Sequence, residues 1–287
     1  MSFRDPLVVL RPYPASTPDT AIVQAVRMAA AVAPRVSAIA CGVAPKIPRS
    51  VFGNSLFNVG GLVGEEKQKS ARDVARVLAT FSEEVARHGL ALSDSISEMR
   101  PSSEIPDVLA DHARLYDLAI VPMPEGNYLS QFDAQWYVET IVFGSGRPTI
   151  IVPNAGEPGG RRALDTIIVA WDKSRAAARA IADALPVLRT AKQVRLLTVT
   201  GEKQFASERS AAELARHLAL QDVPALVDEV DAAGRPIGEV LRQQVAIHRC
   251  DLVVMGGYGR SRIREFILGG ATKAMLTHPP SALFMSH

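Results

Sequence analysis

Two separate stretches carry residue types that could handle a phosphorylated ligand. The first is Asp172, just past the apolar run Thr166-Ile-Ile-Val-Ala170 and followed by Lys173 and Ser174. The second runs from Asp251-Leu-Val-Val-Met255 into Gly256-Gly-Tyr-Gly259, then through Arg260 to Leu268 and into Gly269-Gly270. A continuous apolar run reads as a strand buried on both faces of a parallel sheet. Glycines past its carboxyl end let the backbone come close to a ligand, and free N–H groups at helix starts favour phosphate. A carboxylate at the end of a facing strand can accept from a ribose hydroxyl, or help hold a metal that bridges phosphates. In open α/β sheets ligands sit at that edge. The same residues also admit a plainer role, with the glycines permitting tight turns and Asp172 capping the next helix.

The glycine spacing, Gly256-x2-Gly259-x9-Gly269-Gly270, is not that of a Walker loop, because no Gly-Lys-Ser/Thr closes it. It is not the dinucleotide fingerprint either, because Arg262 stands where the third glycine would be. Arg260, Arg262 and Arg264 could reach phosphates or simply line an exposed loop. Ser174 and Ser261 have no histidine base at readable spacing, so a hydrolase triad has no support. The six histidines are scattered and read as surface or helix-end residues rather than metal ligands. Cys41 and Cys250 match no metal spacing and no disulfide framework, and both read as buried thiols.

These residues need a scaffold, and 287 residues suffice for two ordinary domains. The chain is 47% hydrophobic and 22% charged, as globular proteins are. A net charge of +2 argues against nucleic acid as the main partner. The first residues lack the apolar core of a signal peptide, and no apolar run approaches membrane-spanning length. A cytoplasmic protein with no membrane partner is the expectation.

Strands are expected at 7–10, 36–43, 90–99, 116–121 and 149–152, separated by helices at 18–33, 65–88, 105–115 and 133–143. Thr17 reads as the cap of the first helix, with Pro18 at its first position. Between 45 and 64 the periodicity disappears into a turn-rich excursion carrying Phe52, Leu56 and Phe57. Residues 153–162 are a linker by composition. The pattern then restarts: strands at 166–170, 194–199, 225–230, 251–255 and 282–285, with helices at 174–188, 207–220, 236–248 and 271–277.

The two halves share one order of elements. Leu7 maps onto Ile167, Val36 onto Val194, Asp117 onto Asp251 and Pro148 onto Pro280. The offset shrinks between the second and fourth strands, where the first half carries the 45–64 excursion. Strands alternating with helices give a parallel sheet covered on both faces. The fold class is therefore α/β, a tandem repeat of two doubly wound five-stranded parallel-sheet domains, at 1–153 and 163–287.

Ile167-Ile-Val-Ala-Trp-Asp172-Lys-Ser174, then Asp251-Leu-Val-Val-Met-Gly-Gly-Tyr-Gly, then Gly269-Gly-Ala-Thr together resemble the universal stress protein family. The family pattern is a first strand ending in Asp, then Gly-x2-Gly-x9-Gly-Ser/Thr after the fourth strand. The resemblance is strong over 163–287 and weak by motif over 1–153. It implies an adenine-nucleotide α-hydrolase-like fold with a site lined by Asp172, Met255, Gly256, Gly259, Gly269 and Gly270, and adenine near Val199. It implies ATP as the ligand, with or without Mg. It also implies pairing of the last strands, 149–152 with 282–285, in a homodimer or within the chain as a pseudo-dimer.

Three departures matter. Gly270 replaces the family's Ser/Thr and removes a hydroxyl bond to phosphate, a loss on the order of 1–3 kcal/mol; Thr272 is the nearest substitute. The first half ends its first strand in Arg11-Pro12 instead of Asp, and it places Gln135-Trp136-Tyr137 near the position of Gly269, so no nucleotide is expected there. The leading expectation is a stress-response regulator, not an enzyme, that binds ATP in its second domain. The alternative is an interaction or scaffold protein of the same fold that binds no nucleotide.

Overall fold

The computed structural model describes residues 2–13, 15–44, 59–123, 134–153, 164–201, 210–257 and 270–287. The first half runs β1 (Leu7–Leu10), α1 (Asp19–Val32), β2 (Arg35–Val43), α2 (Val59–Arg87), β3 (Ala91–Arg100), α3 (Ile105–Ala113), β4 (Ala119–Met123), α4 (Ala134–Gly144) and β5 (Thr149–Pro153). The second half repeats the alternation with β6 (Thr166–Ala170), α5 (Arg175–Leu188), β7 (Gln193–Thr200), α6 (Ala211–Ala219), β8 (Ala225–Asp231), α7 (Ile237–His248), β9 (Leu252–Gly256), α8 (Gly270–Thr277) and β10 (Ala282–Ser286).

The strands form one sheet in the order β3-β2-β1-β4-β5-β10-β9-β6-β7-β8. Each half contributes five strands in the same relative order. Every pairing within a half is parallel. The halves meet at β5 and β10, which run antiparallel with Leu283 opposite Ile151 and Met285 opposite Thr149. The implied pairing of the last strands thus forms within one chain. Phe3 stacks on Phe284 beside this seam, with ring centroids 6.3 Å apart.

Position in the sheet explains the strand compositions. β1, β4, β5, β9 and β10 are apolar runs with helices over both faces, so both sets of side chains are buried. The outer strands β3 and β8 carry alternating polar residues and are largely exposed. Helices α1, α2, α5 and α6 bury their apolar stripes against one face, and α3, α4, α7 and α8 against the other.

The repeated Asp has the same task twice. Asp117 Oδ2 accepts from Arg4 N at 2.6 Å and its Oδ1 from Asp5 N at 3.3 Å, just ahead of β1. Asp251 Oδ2 accepts from Asp165 N at 2.9 Å and Thr166 N at 2.8 Å, at the start of β6. Each carboxylate sits at the amino end of the strand beside β1 or β6, and satisfies backbone donors that the sheet leaves over.

Several boundaries differ from expectation. Helix α2 begins at Val59, inside the expected excursion, because extending an existing helix costs far less than nucleating one. Residues 45–58 lie outside the described residues. Helix α6 begins after Ser210 rather than at 207. Ser210 and Glu213 form a reciprocal capping box, which stops the helix from starting earlier. Thr17 does not cap α1, whose N-cap is Pro18. Its hydroxyl is tied to Arg11 instead, accepting from Arg11 N at 2.9 Å and donating to Arg11 O at 3.1 Å.

Candidate functional site

In the second half, β6 lies between β7 and β9. The connection after β6 packs α5 on one face, while α7 and α8 cover the other. The crevice between the carboxyl ends of β6 and β9 is therefore the topological switch point, where open α/β sheets bind ligands.

Asp172 reaches this crevice from β6. Trp171 N donates to Leu197 O at 2.8 Å, carrying the β6–β7 pairing one residue past the strand. The chain then turns sharply, with Lys173 in the left-handed region at φ 60°. Asp172 Oδ1 accepts from Ser174 N at 3.0 Å and closes that turn. Ser174 in turn caps α5, accepting from Ala177 N at 3.1 Å. Asp172 thus shapes the start of α5, and its exposed side chain has no bond to Oδ2 among the described residues.

Gly256 comes from β9. A Cβ built there would lie 2.5 Å from Ala176 C and from Ala177 N. Only glycine lets the first turn of α5 rest on the end of β9. The close approach that glycine permits here is between two elements of the chain, and it brings the start of α5 to the switch point. Gly257 follows and is held by the last strand: its N–H donates to Ser286 O at 2.8 Å, and its carbonyl accepts from His287 Nδ1 at 3.1 Å.

Of the other expected site residues, Met255 and Val199 pack into the core cluster beneath α7 and α8. Met255 is buried there, whereas Val199 is half-buried. Gly270 opens α8 and is exposed, and among the described residues no atom lies within 4 Å of a Cβ built on it. The missing hydroxyl is therefore not imposed by packing. Thr272, the nearest substitute, is buried on the same stripe as Met275 and Leu276. Gly259 and Gly269 lie outside the described residues, as do Arg260, Arg262 and Arg264.

One feature was not foreseen. Among the described residues, the buried side-chain atoms Trp171 Nε1, Thr198 Oγ1 and Ser286 Oγ find no hydrogen-bond partner. Ser286 pairs in register with Gly256 on β10 and β9, and Thr198 lies one step past the Ala170–Leu197 pair, beside Trp171. The three atoms therefore flank the switch point in one row across the carboxyl edge. Buried polar atoms are normally satisfied by protein, water or a bound group. Polar residues at the tails of apolar strands were the signal, legible only once the register is known.

The corresponding edge of the first half is built from other chemistry. Arg11 follows β1 and is only 5% exposed. Tyr137, on α4, is buried at 3% exposure, and that burial pushes its hydroxyl pKa up, with Cys41 adding to the rise and Arg11 opposing it. Among the described residues no group of three or more His, Cys, Asp or Glu could hold a metal ion, and no helix is long and apolar enough to cross a membrane.

The profile of the universal stress protein family matches residues 163–286. A universal stress protein from Archaeoglobus fulgidus DSM 4304 superposes with a TM-score of 0.67 at 12% identity, covering 98% of this chain and 97% of that one. A putative universal stress protein from Pseudomonas aeruginosa UCBPP-PA14 gives 0.53 at 13% identity, covering 99% and 93%. A functionally unknown protein from Pseudomonas aeruginosa PAO1 gives 0.52 at 11% identity, covering 98% and 92%. At these identities the likeness concerns the fold, and it extends over both halves. No curated protein matches the sequence. Residues 163–286 carry the sequence signature of the universal stress protein family, and both halves share the fold of these solved structures.

Proposed function

We propose that the second half, a domain at 163–287, binds an adenine nucleotide, ATP, in a regulatory role in the cytoplasm. The domain at 1–153 is its degenerate partner. The observation that carries this reading is that the Asp172–Ser174 turn opens α5, whose first turn rests on Gly256 of β9 at the switch point. Asp172 Oδ2 is available to a ribose hydroxyl or to a cation carried with the phosphates. The backbone at Val199 and Met255 would flank the base and sugar. Gly256, Gly259, Gly269 and Gly270 would offer N–H groups to the phosphates. The side-chain atoms of Trp171, Thr198 and Ser286 that have no partner among the described residues add polar capacity to the same edge.

Calorimetry with ATP on protein stripped of small molecules tests this. Asp172→Asn keeps an acceptor for Ser174 N and removes the charge. It is expected to weaken ATP binding about tenfold, the worth of a bond to a charged group. Gly270→Ser places a hydroxyl in open space and is expected to tighten it. No heat of binding at millimolar ATP in the wild type and in Gly270→Ser would exclude the reading. A second reading, an interaction protein that takes no nucleotide, draws support from Gly270 and from the use of Asp172 Oδ1 within its own turn. It predicts that ATP leaves the melting temperature unchanged.

A further inference from the structure

The Gly256–Gly257 backbone is not held by the second half alone. A Cβ built on Gly257 would lie 3.4 Å from Ser286 O, 3.5 Å from Phe143 Cε1 and 3.6 Å from Val142 Cγ1. Phe143 and Val142 belong to α4 of the first half. The Phe143 ring meets the His287 ring edge-on, with centroids 5.2 Å apart and planes at 80°. That His287 ring reaches back to the Gly257 carbonyl at 3.1 Å. A carbonyl only accepts, so Nδ1 must carry the hydrogen, which fixes the tautomer of the neutral ring. Gly257 is thus gripped on its N–H by Ser286, on its carbonyl by His287, and on its open side by α4 across the seam.

We propose that Phe143 and His287 are positioning residues for the Gly256–Gly257 backbone, so that the first half shapes a ligand site it does not line. Phe143 orients the His287 ring, and the ring orients the Gly257 peptide next to the start of α5. This rests on the ATP reading for its ligand. It explains why a half that has lost its own Asp keeps an aromatic residue against the site of the other half.

The test uses the full chain. Phe143→Ala and His287→Ala are each expected to weaken ATP binding about two- to tenfold, the range for one net hydrogen bond. The double variant is expected to lose less than the two single losses combined, because the residues act in series. His287→Asn keeps a donor near the Nδ1 position and is expected to recover most of the affinity. Val77→Ala, a truncation in the first half's core on the opposite face of the sheet, is expected to lower stability without changing affinity. Unchanged affinity in both alanine variants, failure of His287→Asn to recover, or an equal loss in Val77→Ala would overturn the proposal. A second readout needs no ligand: the Gly257 amide, bonded to Ser286 O, should exchange with solvent at least several-fold faster in both alanine variants. If the wild type binds no ATP, faster exchange preserves the positioning role while the ATP reading falls, and unchanged exchange removes both.

Discussion

The substitution Gly256→Ala measures how tightly α5 is seated on β9. The added methyl would lie 2.5 Å from two backbone atoms and 2.8 Å from Ala176 Cβ. Carbon atoms pack favourably at about 3.5–4.0 Å, so the conflict is about 1 Å. A flexible side chain could swing away, but the backbone of a helix cannot. Helix α5 must lift, and with it Ala177, Ala180, Ile181 and Ala184, all buried on its inner stripe. Overpacking of this kind costs about 1–3 kcal/mol. In a chain of this size that corresponds to a fall of about 2–12 °C in melting temperature at about 2–4 °C per kcal/mol. Because the tandem can unfold in steps, urea and thermal transitions should be followed by circular dichroism and fitted for the second half. Gly270→Ala is the control. It adds the same methyl to open space at a helix start, so it should be neutral or stabilising by up to about 1 kcal/mol. ATP binding should weaken in Gly256→Ala beyond any effect of stability, because lifting α5 moves the Asp172–Ser174 turn. A Gly256→Ala protein that melts with the wild type would refute the tight seating and the geometry built on it.

Other outcomes follow from single contacts. Asp251→Ala strands two strand-opening N–H donors and should destabilise the second half by about 2–4 kcal/mol, read as a lower urea midpoint. Asp117→Ala should cost less, since its bond to Arg4 N is exposed and the one to Asp5 N is long. Burial pushes the Cys41 and Cys250 thiols up to about 12, so neither should react with a disulfide reagent at pH 8 until the chain is unfolded; rapid reaction of the native protein would contradict their burial. Burial raises the Asp5 carboxyl above its ordinary 3.8, with Ser37 opposing and Asp94 and Asp117 adding. A raised acid favours the protonated form in the fold, so its contribution is greatest below pH 3.8 and is lost as pH rises through the raised value. The stability of Asp5→Asn relative to wild type should therefore improve from pH 4 to pH 7, and the opposite trend would count against it.

The scaffold is legible in the sequence because its signals are local. β9 reads from Leu252-Val-Val-Met alone, and the repeated Asp117 and Asp251 mark equivalent strands before any contact is known. What stays hidden depends on contacts between distant residues. Gly256 reads as a ligand glycine, yet its closest neighbour is α5, some 80 residues earlier in the chain. Thr17 carries a sound capping signal, but Arg11 offers its hydroxyl a better partner. Ser210-Ala-Ala-Glu213 is a readable capping box that places the start of α6 more sharply than apolar spacing does. No periodicity announces that Phe143 and His287 will meet, because that contact exists only once β5 and β10 have paired.

The antiparallel seam between β5 and β10 has a consequence for how the molecule can vary. When two identical chains pair, every substitution appears on both sides of the interface at once, and assembly depends on concentration. Here the two sides are encoded separately and tethered, so the halves meet at a high effective concentration even when the protein is dilute. Each side can also change alone. One half can end its first strand in a buried Arg11 followed by Pro12 while the other keeps Asp172 and the family's signature, and a contact such as Phe143 with His287 can arise on one side without a mirror image. Fusion thus releases the pair from symmetry and permits a division of labour between its halves.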